Sequence, residues 1–408
     1  MLSNSEPASP KLHDLDALDK EDARAWNQSR LSHLATRLKD DNNLELYRQK
    51  ARNSSQSREL YSALGDYQTF VAAPRLFSLP KVLIRREYEA AWRDMENAFV
   101  SGRPYFTTSE GTLCYEGPPT PDSQAPYPFA YTILSHSGIG KTLFLGLALL
   151  RCLERHWTVV LQLDAATIYI FNSSGVFRVP SSQTDFVDLE EALPRATWCL
   201  VDSNTAVKGV PYDIAVLDRF LIQAASPQAS RTSWARKRNT FASRYLIEPM
   251  PLEEAQLAYS LYSKRTEDTD RIIEDFFTKY GPSTRSAFIA ASVGKDWEDQ
   301  SAYELTTALS FLDYPKLRNL VSQASQLQMD EDVSDSLLLV RPDKRRHMVQ
   351  VDVVSKHVLD LLMNTLSLSR HQNMQAVPGL FVSAQQIRGT AGHLLEWCMH
   401  DLLPQSQS

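Results

Sequence analysis

The sequence predicts an α/β protein whose core is a parallel β-sheet covered by helices. From residue 129 to 250, short apolar runs typical of strands alternate with helical patterns, which is the arrangement of a parallel sheet. Within that region a glycine-containing turn at 135–142 connects a strand pattern at 129–134 to a helix pattern at 141–155. We expect a helical region and a small C-terminal α+β region to follow this core.

The composition is that of an ordinary globular protein. Its 408 residues are 43% hydrophobic and 23% charged, and this length predicts two to three domains. The net charge of −6 does not indicate nucleic acid or anionic lipid as a partner. The N-terminus has no secretory signal, and the most apolar stretch, 143–150, is too short for a membrane span. We therefore expect an intracellular protein, cytoplasmic or nuclear, without a membrane partner.

The cysteine pattern agrees with this compartment. The four cysteines are too scattered along the chain for a metal cluster or a disulfide scaffold. Cys152 and Cys199 lie in apolar runs, so we expect them to be buried thiols. Cys114 and Cys398 complete the set. Unpaired buried thiols are typical of a reducing environment.

The N-terminal region, residues 1–77, is polar and partly mobile in our prediction. A helical pattern over Ala23–Leu38 interrupts its charged sequence. A short strand leading into a helix is predicted from residue 78, where we place the start of the core domain, 78–250. The prolines of 115–128 can continue neither a helix nor a strand ladder, so that segment is predicted to be a loop.

The elements of the core domain follow in order from residue 129. The predicted helix is 141–155, the predicted hairpin is 168–179, and the predicted strands are 129–134, 157–163, 197–202, 219–225 and a short run from Tyr245. Two of these strands end at polar residues, Asp202 and Ser226. After Pro251 the pattern becomes helical over 252–263, 268–280, 282–292 and 302–328, which predicts a helical lid at 251–330. Strands at 336–340 and 348–354 and a helix at 392–403 form the last region, 331–408.

The turn Ser135-His-Ser-Gly-Ile-Gly-Lys-Thr142 has the layout of a nucleotide phosphate-binding loop of the P-loop NTPase type. Gly138 and Gly140 allow backbone N–H groups to converge on phosphate oxygens. Lys141 supplies a positive charge to the terminal phosphates of ATP or GTP, and the Thr142 hydroxyl is suited to Mg²⁺. The predicted nucleotide-binding residues of the loop are Ser137, Gly138, Ile139, Gly140, Lys141, Thr142 and Leu143. Ser135 stands where this pattern usually has glycine, so nucleotide affinity depends on how Ser135 accommodates the turn.

A second acidic position is needed for Mg²⁺, and Asp202 is the best candidate. It ends the apolar run Trp198-Cys-Leu-Val201, and we predict it as a metal ligand and, with Lys141, as a catalytic residue. An ordinary surface acid at a strand end is the alternative. Ser203 occupies the adjacent position, where many ATPases of this architecture carry a glutamate that activates water. The sequence therefore predicts Mg-nucleotide binding with slow hydrolysis.

Four further features have both a functional and a structural interpretation. Ser226 is predicted to contact the γ-phosphate, or to be an ordinary cap. A basic group (Arg231, Arg236, Lys237 and Arg238) is either a solvated loop or a contact for phosphate or nucleic acid. The turn Tyr280-Gly-Pro-Ser-Thr-Arg285 either punctuates two helices or presses on the nucleotide, with Arg285 aimed at phosphate. His393, Glu396 and His400 share a helix face, but a partly buried polar face explains them more simply than a metal site.

Three stretches together resemble a known family. Ser137-Gly-Ile-Gly-Lys-Thr-Leu-Phe-Leu, Ala224-Ala-Ser-Pro with Tyr245-Leu-Ile-Glu-Pro-Met-Pro, and Tyr280-Gly-Pro-Ser-Thr-Arg285 look like the Crinkler and retrotransposon-hot-spot type of P-loop NTPase, a STAND-like ATPase module. The resemblance covers about 78–290 and implies a nucleotide-binding domain with a helical lid ahead of a restriction-endonuclease-like domain. Residues 388–402 resemble the first helix of that nuclease, with Glu396 matching a metal-site acid. A single carboxylate cannot position two metals, so we expect a nuclease remnant that does not cleave DNA.

The sequence thus predicts an ATP- or GTP-binding switch that acts through packing of the lid. The alternative is a non-hydrolysing interaction module that keeps the NTPase fold, and Ser135 and Ser203 favour it somewhat. A small-molecule kinase is a third alternative, although no separate substrate motif is present. The predicted partners are the nucleotide and either a protein or a second copy of the chain.

Overall fold

The structure is a computed structural model that describes residues 20, 22–38, 43–101, 105–108, 111–114, 130–204, 206–237, 242–329, 336–343, 346 and 349–369. The chain divides into two compact units. The first comprises Met1–Leu134, Lys141–Ala225 and Ser230–Tyr245, and the second comprises Ser135–Gly140, Ser226–Ala229 and Leu246–Ser408. The four domains expected from the sequence stay a prediction.

The first unit contains most of the described strands and the shorter helices; of the elements given next, only the end residues Ala229 and Leu246 belong to the second unit. Its strands are β1 (Thr36–Leu38), β2 (Tyr61–Leu64), β3 (Tyr67–Val71), β4 (Lys81–Ile84), β5 (Tyr105–Thr108), β6 (Gly111–Cys114), β7 (Ala130–Leu134), β8 (Val159–Gln162), β9 (Thr167–Asn172), β10 (Gly175–Pro180), β11 (Trp198–Ser203), β12 (Phe220–Ala225) and β13 (Ala242–Leu246). Its helices are α1 (Arg30–Leu34), α2 (Asn43–Arg52), α3 (Arg86–Ser101), α4 (Lys141–Glu154), α5 (Phe186–Ala192), α6 (Tyr212–Ala215) and α7 (Ala229–Thr232). Residues 22–28 are also helical.

An eight-stranded sheet with the order β1-β10-β9-β8-β11-β12-β7-β13 forms the centre of this unit. Strands β8, β11, β12 and β7 are parallel, as the alternation of strands and helices predicted. Strands β9, β10 and β1 extend the sheet antiparallel, because a turn as short as the one between Asn172 and Gly175 cannot make a parallel crossover. The predicted α/β class and the hairpin at 168–179 are confirmed.

Burial on both faces explains the apolar strand sequences. Helix α4 packs on β8, β11 and β12. The other face belongs to a cluster that includes Val201, Leu189, Ile214 and Trp234. Trp157 and Trp198 stack at a centroid distance of 5.2 Å within the unit. Cys152 and Cys199 are buried free thiols, as predicted.

Part of the N-terminal region, which we predicted to be partly mobile, is anchored by buried polar contacts. The Glu45 carboxylate accepts the Val176 N–H at 2.7 Å, and Arg48 donates to the Asn172 carbonyl at 3.1 Å. Trp26 and Leu31 are also buried. The charge-rich composition concealed these anchors because their partners lie more than 100 residues away along the chain.

The second unit is mainly helical. Its helices are α8 (Leu252–Tyr262), α9 (Glu267–Tyr280), α10 (Thr284–Val293), α11 (Lys295–Ser310), α12 (Tyr314–Ser325) and α13 (Lys356–Ser369), and its antiparallel strands are β14 (Leu338–Pro342) and β15 (Val349–Val353). The predicted single helix at 302–328 is wrong. It is divided because Asp313 caps a new helix and Pro315 occupies its first turn, where a proline fits only at a helix start. None of the helices in the described part of the chain combines the length and apolarity that a membrane crossing requires.

Two glycines end helices of this unit in nearly the same backbone conformation but in different surroundings. Gly281 follows α9 with φ 84° and ψ −177°, and Gly294 follows α10 with φ 85° and ψ −145°. This region of conformational space is open almost only to glycine. A β-carbon at position 281 would overlap the Val354 side chain and lie 2.9 Å from its carbonyl oxygen, whereas one at 294 would meet nothing within 4 Å.

The pair gives a matched test of this contact. Gly281→Ala and Gly294→Ala should both destabilise the protein by about 1–3 kcal/mol through backbone strain. Gly281→Ala should cost about 1–3 kcal/mol more, because the added carbon collides with Val354. Thermal unfolding by calorimetry measures the difference. Equal losses in the two variants would mean that residue 354 yields freely and that the contact does not constrain the turn.

Candidate functional site

The turn predicted to bind phosphate lies between a strand and a helix, β7 and α4, as the sequence layout predicted. Strand β7 ends at Leu134, and the helix begins at Lys141. Gly138 and Gly140 have φ of 78° and 99°, a conformation that side-chain-bearing residues rarely adopt. Ser135 does not have a positive φ, so serine fits where the usual pattern has glycine. The effect of Ser135 on nucleotide affinity stays a prediction.

Within the second unit, the loop contacts the start of α10. The Arg285 N–H donates to the Gly138 carbonyl at 3.2 Å. A β-carbon at position 138 would lie 2.9 Å from the Ser283 hydroxyl and 3.2 Å from the Arg285 Cβ. Gly138 thus meets two requirements for glycine, a positive φ and a close neighbour. The turn at 280–285 packs on the loop itself, a contact that the sequence did not predict.

Within the first unit, the first turn of α4 meets the end of β11. The Thr142 hydroxyl lies 3.2 Å and 3.1 Å from the two carboxylate oxygens of Asp202. The two residues are 60 positions apart in the sequence, yet the structure brings together the hydroxyl and the acid that we predicted as Mg²⁺ ligands. Asp202 is 9% exposed, so this is not the surface acid of the alternative interpretation.

The electrostatics of Asp202 reflect that burial. Removal from water raises the pKa of Asp202, since burial disfavours the charged form. Hydrogen bonds from Thr142 and Asn204 and the positive charges of Lys141 and Arg231 offset part of the rise. The carboxylate is therefore held at a cost to stability, a property common at functional sites.

Asn204 is a residue of the site that sequence reasoning missed. Its amide nitrogen donates to the Leu163 carbonyl at 2.8 Å and lies 3.5 Å from an Asp202 oxygen. Its side-chain oxygen accepts the N–H groups of Ala206 and Val207, which closes an Asx turn. An asparagine directly after a strand is the available signal for such a turn. Asn204 fixes the chain where it leaves β11.

Ser203 is buried, and its hydroxyl accepts a hydrogen bond from Gln223 at 2.6 Å. Gln223 lies in the middle of β12, and Arg231 donates to the Ser203 carbonyl at 3.1 Å. Of these, the sequence pointed only to Ser203 and, as one of several basic residues, to Arg231. A glutamine inside the apolar run Phe220–Ala225 was the signal that could have revealed the rest.

The remaining predicted site residues differ in how deeply they are buried. Ile139 is buried, while Ser137 and Leu143 are half-buried. Ser226 follows β12 with a buried hydroxyl that has no hydrogen-bond partner among the described residues. Arg285 is exposed. The phosphate contacts of Ser226 and Arg285 stay predictions.

Several predictions fall outside the described residues. These are Arg238, the side chains of Arg236 and Lys237, and the segment 370–408 with His393, Glu396 and His400. Across the ranges that the structure covers, no group of three or more His, Cys, Asp or Glu side chains is arranged to hold a metal ion. Asp202 is thus a single carboxylate with a hydroxyl beside it.

Comparison with known proteins adds little to this geometry. The sequence matches no protein-family model, and no curated protein is significantly similar to it. The chain is similar in structure to the ORC2 protein of Aeropyrum pernix, solved as ADPNP–ADP complexes, with 11% identity and a TM-score of 0.30 over 72% of this chain and 98% of that one. So low a score carries no argument, and the interpretation of the site rests on the strand order, the glycine loop and the Thr142–Asp202 pair.

Proposed function

We propose that this protein is an ATP- or GTP-binding P-loop NTPase. The observation that carries the proposal is the Thr142 hydroxyl, which lies against both Asp202 oxygens at the start of the helix that follows the glycine loop. A loop with Gly138 and Gly140 at positive φ is suited to present its N–H groups to phosphates. Lys141, at the first position of α4, supplies the positive charge.

The donor set fits Mg²⁺. Mg²⁺ prefers hard oxygen ligands and is usually held by one or two carboxylates together with substrate phosphates and water. Thr142 and Asp202 would hold it, and the nucleotide would complete the coordination. When bound, Mg²⁺ would neutralise charge on the phosphates. A site with one protein carboxylate agrees with such shared coordination.

Hydrolysis in this proposal is slow. The reaction transfers the terminal phosphoryl group to water and releases a nucleoside diphosphate and inorganic phosphate. Lys141 stabilises negative charge on the transferred group. Ser203, the residue next to Asp202, cannot act as a general base, and its hydroxyl already accepts a hydrogen bond from Gln223. The attacking water therefore lacks a carboxylate at that position.

We further propose that nucleotide binding acts as a switch of the Crinkler type. The support is the contact between the Gly138 carbonyl and the Arg285 N–H, which places the loop against the first turn of α10. Phosphate binding changes the forces on the loop, and the turn at 280–285 would respond. The alternative is a non-hydrolysing interaction module, and the serine at position 203 supports it. The nucleotide switch and the interaction module would both bind nucleotide, and they differ in whether they hydrolyse it.

Removing the Lys141 charge tests binding. Lys141→Ala should weaken ATP affinity at least about tenfold, or about 1.4 kcal/mol, because a charged contact to phosphate is lost. Titration with ATP and Mg²⁺ by calorimetry measures this. Lys264→Ala, at an exposed lysine of the helical unit, is the charge control and should bind as wild type. A folded Lys141→Ala protein with unchanged affinity would refute the phosphate-loop assignment.

Asp202→Asn should raise the stability of the fold and remove the effect of Mg²⁺ on ATP binding. Because the folded-state pKa of Asp202 is raised, its ionised form destabilises the fold at neutral pH, and stability is regained as pH falls through that pKa. The neutral amide should therefore raise the melting temperature at pH 7, by less as pH is lowered. It should also remove the gain in ATP affinity that Mg²⁺ provides.

The control is Asp218→Asn, at an exposed acid of the same unit. It should shift neither the melting temperature nor the effect of Mg²⁺. A lower melting temperature for Asp202→Asn with Mg²⁺ dependence intact would show that Asp202 is a structural acid rather than a metal ligand.

Turnover distinguishes the switch from the interaction module. We expect phosphate release well below about 10 per second, the median for enzymes, and a further decrease in Asp202→Asn. Release of inorganic phosphate from ATP, measured with purified protein, checks this. Faster turnover would mean that another residue activates the water, and none at all would favour the interaction module.

A further inference from the structure

We propose that Arg231 is an additional phosphate-contacting residue of this nucleotide site, and that Gln223 is the residue that positions it. The inference rests on the proposed nucleotide binding and extends it to residues that the phosphate-loop motif does not contain. Both residues belong to the unit that holds Lys141, Thr142 and Asp202.

Arg231 lies beside the proposed metal ligand. Its Nη1 donates to the carbonyl of Ser203, the residue next to Asp202, at 3.1 Å, and its charge acts on the Asp202 carboxylate. A guanidinium carries five N–H donors in a planar fork that matches phosphate oxygens. Among the described residues, the Ser203 carbonyl is the hydrogen-bond partner of the Arg231 side chain. Most of its donors thus have capacity for an anion.

Gln223 is fully buried, and each side of its amide makes two hydrogen bonds. Its nitrogen donates to the Ser203 hydroxyl at 2.6 Å and to the Arg231 carbonyl at 2.7 Å. Its oxygen accepts from the Trp234 indole at 2.6 Å and from the Thr132 hydroxyl at 3.2 Å. Two donors and two acceptor sites are the full capacity of an amide.

This network fixes a segment that has little local structure of its own. Arg231 belongs to a helix of four residues, α7, which is too short to be stable by itself. Gln223 holds the main chain at Arg231 and the side chain at Trp234, on either side of the end of α7. Strand β12, which carries Gln223, lies between β7 and β11 in the sheet. The glutamine therefore fixes the Arg231 backbone relative to the strand ends that carry the site.

A purely structural role explains the glutamine less well. Burying an amide in an apolar strand costs desolvation that a leucine would not, and four hydrogen bonds only offset this cost. The charges near Arg231 favour a binding role. Lys141 and Arg231 are both positive and act on the carboxylate of Asp202. Two positive charges near Asp202 suit an anionic ligand such as a nucleotide.

Arg231 variants test the contact directly. Arg231→Gln should weaken ATP affinity about tenfold both with Mg²⁺ and in EDTA, because the contact is to phosphate rather than through the metal. Arg231→Lys should lose less, since the charge is kept. Arg178→Gln, at an exposed arginine on β10, makes the same change in net charge and should bind ATP as wild type.

A double-mutant cycle tests the positioning role. Gln223→Met keeps the approximate volume and should weaken ATP affinity at least threefold in the wild-type background but little in Arg231→Gln. If Gln223→Met does not fold, Trp234→Phe is the second variant. It removes the indole donor to Gln223 together with part of a buried ring, and it should give a smaller loss with the same dependence on Arg231. Equal losses in both backgrounds would show that Gln223 acts through packing and would refute its positioning role.

The outcomes separate this inference from the function on which it rests. Wild-type protein that binds no nucleotide would overturn both. Binding that is lost in Lys141→Ala but unchanged in Arg231→Gln would leave the nucleotide site in place and refute Arg231 alone. Loss in Arg231→Gln with and without Mg²⁺, together with the background dependence of Gln223→Met, would establish both roles.

Discussion

The pairing of Thr142 with Asp202 depends on neighbouring strands of the central sheet ending at the same row of the register. Strands β7 and β11 are not neighbours, because β12 lies between them. The last residues of β7, β12 and β11 are Leu134, Ala225 and Ser203, and they share one row of the register, so the three strands end at the same height. Only then can the first turn of α4 reach across the end of β12 to Asp202. The position of the site is a consequence of this register.

Strands β11 and β12 carry buried polar groups at a cost to stability. Asp202, Ser203 and Gln223 are buried in strands whose other residues are mostly apolar. Gln223 is fully hydrogen-bonded, whereas Asp202 retains a raised pKa despite its donors. The first arrangement resembles a rigid support, since satisfied buried networks specify one geometry. The second is a buried carboxylate whose desolvation its hydrogen bonds and the nearby positive charges offset only in part.

The helical unit constrains the glycine loop at 135–140 in a different way. Its turn at 281–285 lies against two backbones, that of Gly138 at one end and that of Val354 at the other. A β-carbon at position 138 or 281 would be crowded, and well-packed contacts of this kind transmit displacement rather than absorb it. A movement of the loop must therefore be taken up by the turn or passed to the end of β15. This gives the proposed switch a physical path within one unit.

The sequence by itself determined the local features of this protein. Glycines spaced at Gly138 and Gly140, an acid after a strand at Asp202 and the alternation of strand and helix patterns all arise from short-range geometry and periodicity, which a sequence displays directly. Tertiary structure alone decided the order β11-β12-β7, the contact of Arg285 with Gly138, and the partners of Gln223 and Arg231. Gln223 bonds Thr132, 91 residues away, and Arg231 bonds Ser203, 28 residues away. Residue periodicity specifies which face of an element is buried, but the choice of partner across that face depends on packing between distant segments.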